Sequence, residues 1–208
     1  MKIEPNELEE KGYVFNDELN HDDLTSFLKE KNTESKGFFS IVFLVLLFIP
    51  IPVLSYFFTY YLMQDKLTLL SALFSCLLGV GLVFLFIPIH ELLHALAYKL
   101  VGAHNISFLA NLKKFYFAAI ADQSVLNVKE FKIVALFPFL TVCIGAAFIL
   151  PFTDEFWWLA LLSFVSLHTL FCGGDFSLLN FMQRNKSKGI VTFDDRRNKK
   201  TYFYVRKD

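Results

Sequence analysis

Charged residues are absent from four long apolar stretches of this 208-residue chain: Phe38–Gln64, Leu67–Ile89, Ile133–Thr153 and Phe156–Gly174. Roughly 20 apolar residues cross a hydrocarbon layer of ~30 Å as a helix, so each stretch reads as a membrane span. One such stretch alone fits a buried helix of a soluble protein. Four leave too little polar sequence to cover them. The second stretch continues as helix past its apolar end to about Leu100, where Gly102 stops it. The fourth ends in Cys172-Gly173-Gly174-Asp175 and runs on as a helical stub to Met182. Pro50 and Pro52 kink the first span, and Pro138 lies near one end of the third.

The polar remainder carries a different pattern. Ile106–Leu112 and Phe115–Ala121 are rich in β-branched and aromatic residues and flank Lys113-Lys114, which predicts a hairpin or re-entrant pair of strands. Alternation in Gly189–Phe193 and Thr201–Val205, around a charged turn at Asp194–Lys200, predicts a second hairpin. Asn20-His21-Asp22-Asp23 is placed to cap a short helix from Leu24 to Lys31 within an otherwise solvated tail. The expected class is an all-α polytopic membrane protein of about four transmembrane helices with small cytoplasmic β-hairpins. Its expected parts are an N-terminal tail (1–37), a membrane domain (38–182) and a C-terminal tail with a hairpin (183–208). Within the membrane domain the spans fall at about 38–64, 67–100, 131–153 and 156–180.

Composition agrees with that class: 55% hydrophobic residues, 26 Phe and a mean hydropathy of +0.46 exclude an ordinary soluble domain. The formal net charge of +0 conceals an asymmetry. The first 37 residues hold five Lys against ten acidic residues, while residues 181–208 hold nine Lys/Arg against three Asp. Orientation follows Lys and Arg near the spans. Lys66 alone lies between the first two spans, none lies between the last two, and Lys99, Lys113, Lys114, Lys129 and Lys132 lie between the second and third. Both termini and the middle loop are therefore expected in the cytoplasm, in a bacterial plasma membrane. A cleavable signal is not expected, because the first apolar run is too long and follows 37 mostly polar residues. Cys76, Cys143 and Cys172 lie in or beside apolar spans without CxxC spacing and read as small buried residues. The partners expected are the lipid bilayer and a peptide or membrane-protein substrate, with no nucleic acid.

The chemistry concentrates at His90-Glu91-Leu92-Leu93-His94. Two histidines four apart share one helix face, where both imidazoles can bind one metal ion, and the glutamate between them can reach a metal-bound water. Catalytic zinc takes three protein ligands, so a third must come from elsewhere. A histidine six residues after His94 would extend the motif as in the soluble metzincins, but that position is Leu100, and Ala97 stands where a glycine is expected. Counting along the spans, His90 lies 23 residues into the second and Asp175 lies 19 into the fourth. At 1.5 Å per residue these depths differ by roughly 6 Å, which modest tilt removes. Asp175 is thereby a candidate third ligand, and its preceding glycines permit local unwinding. His168, two helical turns before Asp175, is a candidate supporting group or alternative ligand, and Glu130 is the other conceivable carboxylate. His104 reads as surface.

The His90-Glu-Leu-Leu-His94-Ala-Leu run, the hairpin-like insert and Gly173-Gly174-Asp175 together resemble the DUF3267 family of zincin peptidases, itself similar to the site-2 protease group of intramembrane metalloproteases. The resemblance covers roughly Ser71–Asp195. It implies a Zn2+ site from His90, His94 and Asp175, with Glu91 as general base in a zinc-dependent metalloendopeptidase. Site-2 proteases carry a longer motif ending in Leu-Asp-Gly, whereas here Phe176 follows the aspartate. The activity expected is hydrolysis of membrane or membrane-proximal proteins near the cytoplasmic leaflet, with an extended substrate adding as a strand to the hairpin at 106–121. The competing expectation is a non-catalytic metal-binding accessory or interaction protein. Metal transport fits poorly, because the polar residues of the spans cluster at one depth.

Overall fold

A computed structural model describes residues 3–23, 26–27, 37–111 and 116–207. Among the described residues six α-helices form where the apolar runs predict them: α1 (Phe38–Phe48), α2 (Pro50–Met63), α3 (Leu69–Leu100), α4 (Val128–Ile149), α5 (Glu155–Phe171) and α6 (Gly173–Arg184). Three helical segments are long and apolar enough to cross a membrane: Phe38–Met63, Leu69–Leu100 and Val128–Phe152. The pair α5 and α6, bent by 44° at the glycines, makes a fourth if it is counted as one span. The helix expected at Leu24–Lys31 lies largely outside the described residues.

The all-α expectation is wrong. Six strands form among the described residues: β1 (Tyr13–Asn20), β2 (Ile106–Asn111), β3 (Tyr116–Ala121), β4 (Leu126–Asn127), β5 (Val191–Asp195) and β6 (Lys200–Arg206). β2 and β3 make an antiparallel pair, with Ile106 opposite Ala121 and Asn111 opposite Tyr116. The other four make an antiparallel sheet in the order β1-β6-β5-β4. The physical cause is an unpaired edge. The hairpin β5–β6 leaves a row of open N–H and C=O groups along β6, and the N-terminal segment covers it from Tyr13 opposite Arg206 to Asn20 opposite Lys200. Asp17 and Glu18 mask the strand character of that segment, and Leu19 is its one fully buried residue.

The chain divides into two compact units. The first comprises Met1–Ser40, Ile89–Phe137 and Gly174–Asp208 and carries both sheets. One of its cores sets Ala95, Ala97 and Tyr98 of α3 against Ala119 and Ala121 of β3, where small side chains let the strand close on the helix. Another sets Leu19, Phe181, Met182 and Phe203 together, with Phe27 stacked on Phe203. Gly102, at φ 72°, ends α3 in the left-handed conformation, with the Ala103 N–H donating to the Tyr98 carbonyl.

The second unit comprises Ile41–Pro88 and Pro138–Gly173. It is purely helical among the described residues, and Tyr61, Ala72 and Leu159 form its buried core. Gly79 lies so close to the Ala160 carbonyl that a Cβ would collide with backbone. Lys66 and Glu155 pair at 2.6 Å. The outward faces are large and apolar, with Phe148 75% exposed and Leu85 74%, the surface that lipid contact requires.

Candidate metal centre

Ile89–Leu100 of α3 holds His90 and His94 one turn apart, so both rings leave the same helix face. Their Nε2 atoms stand 3.0 Å apart and their ring planes cross at 77°. His94 is buried, and its Nδ1 lies 3.1 Å from the Val134 carbonyl of α4. A carbonyl oxygen only accepts, so Nδ1 donates and the neutral ring presents a bare Nε2 lone pair. Asp175 sits in the first turn of α6. Its Oδ1 is 3.3 Å from His94 Nε2, and its Oδ2 is 3.5 Å from His90 Nε2.

Those three separations permit a test of fit. Zinc bonds of about 2.05 Å at tetrahedral angles place ligand atoms about 3.3 Å apart. The two nitrogens stand 3.0 Å apart, and each has its own Asp175 oxygen at 3.3 or 3.5 Å, separations of the size such a polyhedron has. Two imidazoles and one carboxylate are also a donor set that catalytic zinc takes, with the fourth corner left for water or substrate. The residues present fit the ion.

Glu91 points along β3, where its Oε2 accepts a hydrogen bond from the Ala119 N–H at 2.6 Å. Glu91, His94 and Asp175 line one cavity of about 140 Å³. Of the two other ligand candidates, Glu130 has a separate occupation. Glu130 closes a capping box at the start of α4, accepting from the Asn127 N–H while its own N–H donates to Asn127 Oδ1. His168 belongs to the helical unit, buried against the rings of Phe86 and Phe164 with Cys172 Sγ at 3.7 Å from its Nδ1. His104 is exposed, its backbone held by the Ser124 hydroxyl.

A sequence model of the DUF3267 family, described as "Putative zincin peptidase", matches residues 83–189, just over half of the chain. The chain belongs to the DUF3267 family. That description implies a metallopeptidase and zinc. The DUF3267 segment contains His90, Glu91, His94, Asp175 and the β2–β3 hairpin, and it ends before β5. No curated protein and no solved structure matches the chain.

Sequence reasoning missed three residues that line the same cavity: His21, Asp194 and Thr201. All lie outside the DUF3267 segment. Thr201 Oγ1 donates to Asp194 Oδ1 at 2.7 Å and stands 2.9 Å from His21 Nε2. Burial pushes the Asp194 carboxyl up to about 6, and Asp122 nearby adds to the rise, against the hydrogen bonds from Thr201 and the Ala121 backbone. Nothing local in the sequence marks these residues, because pairing of β1, β5 and β6 brings them together.

Proposed function

We propose that this chain is a membrane-embedded zinc metallopeptidase that cuts peptide bonds of membrane or membrane-proximal proteins at the cytoplasmic leaflet. The observation that carries this reading is the convergence of His90, His94 and Asp175 at 3.0 to 3.5 Å beside Glu91. Zinc, when bound there, lowers the pKa of a water ligand towards ~7 and polarises a carbonyl. The chain's own residues do the remaining work. His90, His94 and Asp175 hold the ion, and the Val134 carbonyl fixes the His94 ring. Glu91 accepts a proton from the attacking water as its oxygen bonds to the peptide carbon. It then delivers that proton to the departing nitrogen as the C–N bond breaks. Membrane embedding is supported by the length and apolar character of the helices, and orientation by the Lys/Arg distribution. The likeness to site-2 proteases rests on the order of the two motifs along the chain.

Elemental analysis and peptide cleavage by the purified protein and two variants test the reading. Glu91→Gln should keep stoichiometric zinc and lose cleavage. Asp175→Ala should lose zinc affinity by at least ~100-fold, since even groups that merely support a ligand cost 10–100-fold. Zinc retained unchanged in Asp175→Ala would sink the ligand assignment. Cleavage undiminished in Glu91→Gln would sink the role of the base.

A further inference from the structure

The cavity beside Glu91 and Asp175 has a second polar end, built by Asp194 of β5, Thr201 of β6 and His21 directly after β1. The Thr201 proton goes to Asp194, so the Thr201 oxygen accepts from His21 Nε2, which lies 4.0 Å from the same Asp194 oxygen. The Thr201 hydroxyl and the Ala121 N–H thus hold this carboxylate in one orientation, and His21 in turn fixes the Thr201 oxygen. The cavity is acidic: Glu91, Asp175 and Asp194 line it, and among the described residues no Lys or Arg does. A bound divalent ion answers the charge of the first two. Asp194 keeps its demand for a cation.

Position decides what that cation is. Ala119 gives its N–H to Glu91, and Ala121 gives its N–H to Asp194. The two carboxylates therefore meet the same edge of β3 one dipeptide apart, about 7 Å. A chain lying along that edge with its reacting bond at Glu91 brings a side chain within reach of Asp194 at most two residues away. Apolar Leu19, Ile120, Phe193 and Phe203 line the space between, suited to an alkyl stem below a charged head.

Resting on the peptidase reading above, we infer that this end of the cavity is its selectivity pocket, taking a lysine or arginine side chain within two residues of the cut bond, with Asp194 as counter-ion and His21 and Thr201 as positioning residues. His21, Asp194 and Thr201 themselves lie outside the segment that the family model matches.

Capture of peptides by zinc-loaded, full-length Glu91→Gln protein in nanodiscs tests it. Short peptide libraries with one position fixed as Lys, Arg, Gln or Glu, and the rest randomised, are bound and read by mass spectrometry. Lys and Arg should be enriched over Gln by about tenfold at one position, equivalent to ~1.4 kcal/mol. Glu should be depleted, and adding Asp194→Asn should erase the enrichment. Equal capture of Lys and Gln, capture of neither, or a preference surviving Asp194→Asn overturns the pocket. Cleavage of the same libraries by the unaltered protein is scored separately. Basic-selective capture with no cleavage refutes the peptidase reading and leaves Asp194 a cation site, whereas cleavage with no basic preference refutes the pocket alone.

Discussion

Asp194 sets a pH dependence that its surroundings make calculable. Its carboxyl titrates at about 6 in the folded chain against an ordinary 3.8, so the folded protein holds this proton more firmly than the unfolded one. Stability from this group is complete below the unfolded value and is lost as pH rises through the folded one. A rise of about two units corresponds to about 3 kcal/mol. The side chain is only 13% exposed, so solvent does little to screen it. Asp194→Asn keeps an acceptor for Thr201 while discarding the charge. Thermal unfolding followed across pH 4 to 8 should show the unaltered protein losing about 3 kcal/mol relative to this variant between pH ~4 and ~7. Parallel curves would show that Asp194 does not hold its proton to pH 6. Nothing in its sequence neighbourhood separates Asp194 from Asp195, which follows it at the end of β5, because burial is conferred by residues far away. Asp175 was more accessible to reasoning: depth along an apolar helix is a count of residues, and that count put it level with His90.

At the scale of elements, β3 is the strand whose edge meets Glu91. Its N–H at Ala119 points away from β2 and to Glu91. An extended substrate that adds to this edge must take that N–H with a carbonyl of its own, which releases Glu91 as the substrate arrives. Proline at an outward-facing strand position removes the donor while sparing the ladder to β2. Ala119→Pro is therefore expected to retain zinc but bind peptide about tenfold more weakly, the loss of about one hydrogen bond to a charged or desolvated partner. Unchanged peptide affinity with zinc retained would rule out strand addition at β3. Both hairpins were legible from alternation and their turns, which are local signals. The N-terminal strand was not, since Tyr13–Asn20 mixes Asp17 and Glu18 with apolar residues and finds its partner almost the full chain away.

The whole molecule consists of two units with separate reporters. Both tryptophans, Trp157 and Trp158, lie in the helical unit, whereas the three metal-ligand candidates lie in the sheet-bearing one. Leu19 of β1 is 3% exposed, and truncating a buried leucine to alanine costs 2–5 kcal/mol. Leu19→Ala should move the denaturant midpoint for zinc retention downward and leave the tryptophan fluorescence midpoint in place. A common shift of both would show that the units unfold as one. The pairing of β1 with β6 also dictates a timetable. β1 leaves the ribosome before α1, and β6 leaves after α6. The first strand must wait, unpaired, while the helices are inserted, and the cavity wall that carries His21 and Thr201 can close only when translation reaches the far strand. A nascent chain can thus hold His90, Glu91 and His94 for much of its synthesis without a finished cavity, so the ribosome itself delays the moment at which the site is complete.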